Sequence, residues 1–113
     1  MIEESRARYD LTIYKGATYT KDAWFSEDDA PMDFTGCSVK AQIRPIENSP
    51  MLTAEFDIDM EPTEGHIQLC LNADATARIN AGSYVWDLQL VDTDGIVLYY
   101  IYGKVYVKGR TTV

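Results

Sequence analysis

The chain holds a single histidine, His66, and only two cysteines, Cys37 and Cys70, among 113 residues. With no CxxC or CxxH pair and one imidazole in all, no tetrahedral zinc set can be assembled from it. Cys37 runs in phase with Val39, Ala41 and Ile43, whereas Cys70 is out of phase with Ile67, Leu69 and Leu71. A disulfide between them is therefore not expected, and reduced, structural thiols fit assembly in a cytosol. Long hydrophobic runs are missing too. The most apolar stretch, residues 96–102, has the length of a strand and falls well short of the roughly 18 residues of a membrane-spanning helix. Met1-Ile2-Glu3-Glu4-Ser5-Arg6 has mixed charge and no apolar core behind it, so no targeting signal is read and an unprocessed chain is expected.

Positive charge is scarce. Ten basic residues stand against eighteen acidic ones, for a net charge of −8. Bulk electrostatic binding to nucleic-acid backbones or anionic lipid is thereby disfavoured. Catalytic motifs are also wanting: there is no G-x-S-x-G, no HExxH and no glycine-rich phosphate loop. His66 follows Gly65 on the outward phase of its strand and reads as a solvent-exposed histidine, not as a general base. Neither an enzyme nor a cofactor is expected.

What is present is the material of one β-rich domain. A composition 46% hydrophobic and 25% charged is that of a soluble globular protein, and 113 residues make one domain, 1–113. A chain of this mass buries about two-thirds of its surface on folding, enough for one core without disulfide or metal staples. Eight tyrosines, two tryptophans and three phenylalanines suit half-buried strands and interfaces. Five of the tyrosines come after position 83.

Period-two alternation recurs along the chain. Tyr84, Trp86, Leu88 and Leu90 share one face of a strand. Val39, Ala41 and Ile43 point inward against Lys40, Gln42 and Arg44, until Pro45 ends the ladder. Leu52, Ala54, Phe56 and Ile58 alternate with Thr53, Glu55, Asp57 and Asp59 as far as the turn at 61–65. Ile67, Leu69 and Leu71 form the next strand. Tyr9-Leu11-Ile13, Tyr19 to Phe25, Ile96 to Tyr102 and Lys104 to Lys108 bring the total to about eight strands. Asp94-Gly95 supplies the positive dihedrals of a tight hairpin turn. Gly103 reads as a bulge or bend after which Val105 and Val107 continue inward, with Tyr106 facing out.

One segment departs from this pattern. Residues 72–82 are alanine-rich, with Asn72 as a cap and Asp74 in the first turn, and end at Gly82. One or two helical turns near 73–80 should carry the chain between sheets, with Ile79 anchored in the core. The predicted architecture is all-β: a two-sheet antiparallel β-sandwich, Ig-like in general arrangement, with one short helical crossover.

Charge and tyrosine both cluster. Residues 22–64 hold eleven acidic groups against Lys40 and Arg44, a balance of −9, which leaves about +1 for the rest of the chain. This acidic set is either a solubility face or the complement of a basic partner surface. A neighbouring copy's Arg6, Arg8, Lys104, Lys108 and Arg110 would serve in a head-to-tail ring. Asp57, Asp59 and Glu61, two apart on one strand face, are the candidate calcium ligands. They lack the EF-hand frame, and the competing reading is a charged edge that resists promiscuous strand pairing. In residues 96–102 both strand faces are apolar, so this strand is central to the core or covered by a partner. Tyr99, Tyr102 and Tyr106 are the candidate interface residues.

The order of these features is familiar. Leu11-Thr12-Ile13-Tyr14-Lys15-Gly16-Ala17-Thr18-Tyr19 is followed by 33–44, with its Asp33-Phe34-Thr35-Gly36 turn and Ile43-Arg44 end. Then come Gly65-His66-Ile67-Gln68-Leu69, Ala81-Gly82-Ser83-Tyr84-Val85-Trp86-Asp87-Leu88 and the closing Gly103-Lys104-Val105-Tyr106-Val107. Over nearly its whole length the chain resembles small tailed-phage and prophage virion domains, in particular the N-terminal domains of baseplate upper proteins and related tail or host-attachment components. The resemblance implies a β-sandwich docking module. It departs from the baseplate upper proteins in having no linker helix or receptor-binding extension after Val113, which points to a small structural subunit or adaptor.

The expectation is thus a non-enzymatic virion protein, made in the bacterial host cytoplasm and housed in the particle, most naturally in the tail. It would be homo-oligomeric there, with other virion proteins as partners and with no nucleic acid or membrane bound. Two alternatives stand beside it. One is a carbohydrate-binding or host-adhesion module, in which Trp24 and tyrosines stack on sugar rings. The other is a capsid decoration or head-to-tail joining protein. For Trp24 the competing reading is core packing, since only one of Trp24 and Phe25 can face inward.

Overall fold

The computed structural model describes the backbone of residues 6–109, without the side chains of 6, 7, 27 and 98–100. Two sheets pack face to face. In chain order the strands are β1 (Arg6–Arg8), β2 (Leu11–Tyr14), β3 (Tyr19–Trp24), β4 (Ser26–Glu27), β5 (Ala30–Pro31), β6 (Ser38–Arg44), β7 (Ala54–Glu55), β8 (Asp57–Glu61), β9 (His66–Leu71), β10 (Gly82–Val91) and β11 (Val97–Lys108). A 3-10 turn, Pro62–Glu64, precedes β9, and one helix, α1 (Ala73–Ala77), precedes β10. The larger sheet runs β1-β11-β10-β6-β7, with β2 also on β11, and the smaller one runs β3-β9-β8. The predicted all-β sandwich with a single short helical crossover is what the chain forms. No helix among the described residues is long and apolar enough to cross a membrane.

The alternation in the sequence sorts side chains as expected. Ala41 and Ile43, Trp86, Leu88 and Leu90, and Val105 and Val107 are buried from the larger sheet, and Ile67, Leu69 and Leu71 from the smaller. Phe56 bridges the layers, edge-on to Trp86 at 6.0 Å between ring centres and tilted against Tyr19 at 6.1 Å. Each of the valine, leucine, isoleucine and phenylalanine side chains among them contributes on the order of 1.5–3 kcal/mol when buried.

Several local expectations are corrected. The single strand expected over 52–59 is two strands: β7 pairs with β6 in the larger sheet and β8 with β9 in the smaller. The chain changes sheets at Phe56, whose amide donates to Ala41 O, so the buried ring sits at the corner between layers. The expected bend at Gly103 is absent, and β11 runs through it in unbroken register with β10, Trp86 facing Gly103. The irregularity falls instead between Leu90 and Val91. The β10–β11 hairpin forms as expected, but of its turn residues only Gly95 is left-handed (φ 82°). Its amide donates to Asp92 O, and Asp92 Oδ1 accepts from Asp94 and Ile96 amides, as in a turn closed by a left-handed glycine. The larger sheet is also not wholly antiparallel, because β1 and β2 pair with β11 in parallel. With β10 on its other side, β11 is central in the larger sheet.

Gly103 has a different function from the one expected. At Tyr9-Asp10, between β1 and β2, the chain dips over β11, and a Cβ on residue 103 would lie 2.1 Å from Tyr9 O. That oxygen accepts from the buried Trp86 Nε1 at 2.7 Å. The absent side chain lets a backbone carbonyl reach the core indole. Asp10 Oδ1 completes the corner by accepting from the Lys104 amide at 2.9 Å.

The opposite end is held by α1. Asn72 caps it by accepting from the Ala75 amide at 2.8 Å, as its sequence position predicts, and Ile79 is buried beyond it. Thr76, fully buried, donates to Ala17 O and accepts from the Gly16 amide, tying the β2–β3 turn to the helix. Lys15 Nζ donates to the carbonyls of Ala77 and Ile79 at the helix C-terminus.

Candidate functional site

The outward face of the smaller sheet is assembled by register. Trp24, His66 and Glu61 form one cross-strand row, Asp22, Gln68 and Asp59 the next, and Thr20, Cys70 and Asp57 the third. Residues far apart in sequence thus become neighbours on a face that carries four carboxylates and no lysine or arginine at its strand positions. Trp24 stands 69% exposed on it, while Phe25 takes the buried position. The indole stacks on the imidazole of His66, with ring centres 4.8 Å apart and planes inclined by 29°.

That stack changes the reading of His66. Its phase is outward, as expected, but its side chain is only 14% exposed because the indole lies over it. Nε2 meets Asp22 Oδ1 at 2.9 Å, and Gln68 Nε2 donates to the same oxygen at 3.1 Å. Glu61 Oε1 stands 3.1 Å from Nδ1 without the alignment of a hydrogen bond. Hydrogen bonds from His66 and then Gln68 hold the Asp22 carboxyl below its ordinary value. The imidazole is thus a pedestal that fixes the indole and a carboxylate in place.

Asp57, Asp59 and Glu61 lie on the exposed face of edge strand β8, each opposite a different residue of β9. Among the described residues no three His, Cys, Asp or Glu side chains are grouped to hold a metal ion. The calcium candidates are therefore neighbours along one strand and are not converged on a point. Both cysteines are free: Cys37 packs against the core and Cys70 lies on the acidic face.

The outward face of the larger sheet is built differently. Arg8, Lys40, Arg44, Lys104 and Lys108 lie on its outward phase, along with Glu55 and Asp87. A groove of about 670 Å³ crosses this face beneath the 45–49 loop, with Arg8, Arg44, Ile46, Val85, Tyr102 and Lys104 among its lining residues. Arg44 is fixed there, donating to Gln42 Oε1 at 2.8 Å and to Ser49 O at 3.1 Å. Ile46 is exposed at the loop tip, where Asn48 takes a left-handed φ of 63°. Arg8 Nε donates to Asp10 Oδ1 at 3.3 Å.

The candidate interface tyrosines separate here. Tyr102 is half-buried and lines the groove. Tyr106 is 36% exposed on the same face, opposite Thr12 and Ser83. Tyr99 pairs with Leu90 along the backbone, and its side chain lies outside the described residues.

Some site residues were not singled out in the sequence. Arg44 and Ile46 emerge from the fold of the 45–49 loop. The β4–β5 hairpin, whose Asp28 and Asp29 both have positive φ, adds two exposed carboxylates on a tight turn. Both belong to the acidic stretch already marked in the sequence, and aspartate tolerates that conformation. No protein-family model matches the chain, and no curated protein matches it either.

Proposed function

We propose that this chain is a non-enzymatic phage or prophage virion protein, a tail or baseplate adaptor that acts by protein–protein assembly. It would be made in the host cytoplasm and built into the particle beside other virion proteins, with no nucleic acid or membrane bound. The observation that supports this reading most directly is the pair of unlike outer faces on one rigid sandwich, one acidic with an exposed tryptophan and the other basic and grooved. Such surfaces suit docking between subunits. The order of turn glycines and strand motifs that resembles tailed-phage virion domains supplies the address.

The experiment is mass spectrometry of particles purified from the bacterium that encodes the chain, with immunogold labelling of intact and tail-only fractions. Stoichiometric presence on tails is the expected result. Labelling confined to the head would favour capsid decoration or head-to-tail joining, and absence from all particles would overturn the reading.

A second reading, a saccharide-binding or host-adhesion module, is favoured by one observation. Trp24 is held flat by His66 beside Asp22 and Gln68, a combination of aromatic platform and hydrogen-bonding groups that can receive a sugar ring. Titration of cell-wall polysaccharide into the chain and into its Trp24→Ala variant separates the readings, with saturable binding lost in the variant counting for the module.

A further inference from the structure

The exposed tryptophan and the groove have complementary chemistry. Trp24 projects from a face that also carries Asp22, Asp59 and Glu61, and the groove combines Ile46, Val85 and Tyr102 with the cations of Arg8, Arg44 and Lys104 and the carboxylates of Glu47 and Asp87. An indole on an acidic face matches a partly apolar slot on a face where Arg8, Lys40, Arg44, Lys104 and Lys108 outnumber Glu55 and Asp87 at the strand positions, which adds cation–π attraction to charge pairing. The two cannot meet within one molecule. Trp24 is on the outer side of the smaller sheet and the groove on the outer side of the larger, with the packed core between them.

Resting on the assembly role proposed above, we infer that the groove receives Trp24 of a second copy of this chain. The contact is heterologous, so it stacks copies head to tail, and each copy keeps a free knob and a free groove for the next. A closed ring results if the rotation between neighbours closes, and a filament if it does not. The large aromatic at the centre and the charged rim around it are the arrangement in which a few residues carry most of the binding.

The test mixes two single variants of the full chain. Trp24→Ala retains the groove and lacks the knob, and Lys104→Glu retains the knob and weakens the groove. By sedimentation velocity across a concentration series, the unaltered chain should form species larger than a dimer. Each variant alone should be monomeric, with association weakened at least about tenfold. An equal mixture of the two should give a 1:1 dimer and nothing larger, because one intact knob and one intact groove remain. Asp59→Lys, on the exposed edge strand, provides a second knob-side variant and should behave as Trp24→Ala does. Raising salt from about 0.05 to 0.5 M should weaken assembly of the unaltered chain about tenfold or more.

An unaltered chain that stays monomeric, or variants whose assembly is unchanged, would overturn the inference. So would a mixture of the two variants that does not pair, or loss of saccharide binding in Trp24→Ala with no change in assembly. A chain that is present in virions yet monomeric under these conditions would refute the self-association alone. A chain that assembles as described but is absent from virions would refute the virion role alone.

Discussion

The two outer faces of the sandwich arise from the same alternation and differ in what stabilises them. On the larger sheet the fixed features are mostly backbone devices: the dip of Tyr9-Asp10 over Gly103, the indole bond to Tyr9 O on the core side, and Ser49 O, which with the Gln42 side chain holds Arg44 in the groove. On the smaller sheet Trp24 depends on side chains meeting across strands, the His66 stack and the Asp22 contacts. A face made by backbone geometry should be costly to alter. A face made by side chains on a regular ladder should be almost free to change in stability and sensitive only in function.

The largest expected effect follows from Gly103→Ala. The new methyl would overlap a carbonyl, and relief requires moving the edge that receives the Trp86 indole. A loss of about 3 kcal/mol is expected in urea-induced unfolding, from overpacking combined with a buried donor left unpaired. A loss under about 1 kcal/mol would show that the edge relaxes easily and that the contrast between the faces is false.

Thr76→Val comes next, since it keeps the shape and removes a buried hydroxyl that both donates and accepts between the helix and the β2–β3 turn. About 1–3 kcal/mol is expected by the same measurement. Asn72→Ala, which removes the helix cap, should cost about 1 kcal/mol.

A smaller effect compares one carboxylate from each face. The Lys104 amide, followed by Arg8, holds Asp10 below the ordinary value of 3.8, as hydrogen bonds from His66 and Gln68 hold Asp22. The stability these groups add is complete above the unfolded value and drains away as pH falls through it toward the lower folded values. The midpoint of thermal unfolding should therefore fall below about pH 4, less steeply in Asp10→Asn and in Asp22→Asn than in the unaltered chain. Tyr19 acts at the other end of the scale. Burial, and then the neighbouring Tyr9, push its hydroxyl up to about 12, so its contribution is intact below pH 10 and is lost as pH rises from there toward 12.

Trp24→Ala should have the smallest effect on stability, within about 0.5 kcal/mol for so exposed a side chain, while it abolishes head-to-tail association. A large destabilisation there would mean that the indole serves the fold before it serves a partner.

Much of the fold was legible in the sequence because a strand reports its buried face through every second residue. Val39, Ala41 and Ile43, and the Tyr84 to Leu90 series, needed no tertiary information to be placed correctly. The helix was legible through Asn72 and its alanines, since capping acts within three residues. Phe56 was not, because alternation continues smoothly across a corner where the chain leaves one sheet for another. Gly103 was misread for a related reason: glycine signals that a side chain is forbidden, and whether a bend or a crossing carbonyl forbids it depends on what lies across the sheet.

The site was less legible. The acidic stretch, Trp24 and the closing tyrosines stood out by composition, but a histidine on an outward phase reads as solvent-exposed until its cross-strand neighbour is known. By itself the sequence determined that this is an all-β chain, which residues face inward, and that its acidity is concentrated in residues 22–64, because these depend on local periodicity and composition. Only the tertiary structure decided that the strand face carrying Asp22, Asp59 and Glu61 lies opposite the one carrying Arg8, Arg44 and Lys104, and that Trp24 rests on His66. Those relations are set by strand register and sheet packing between segments tens of residues apart, which no local pattern encodes.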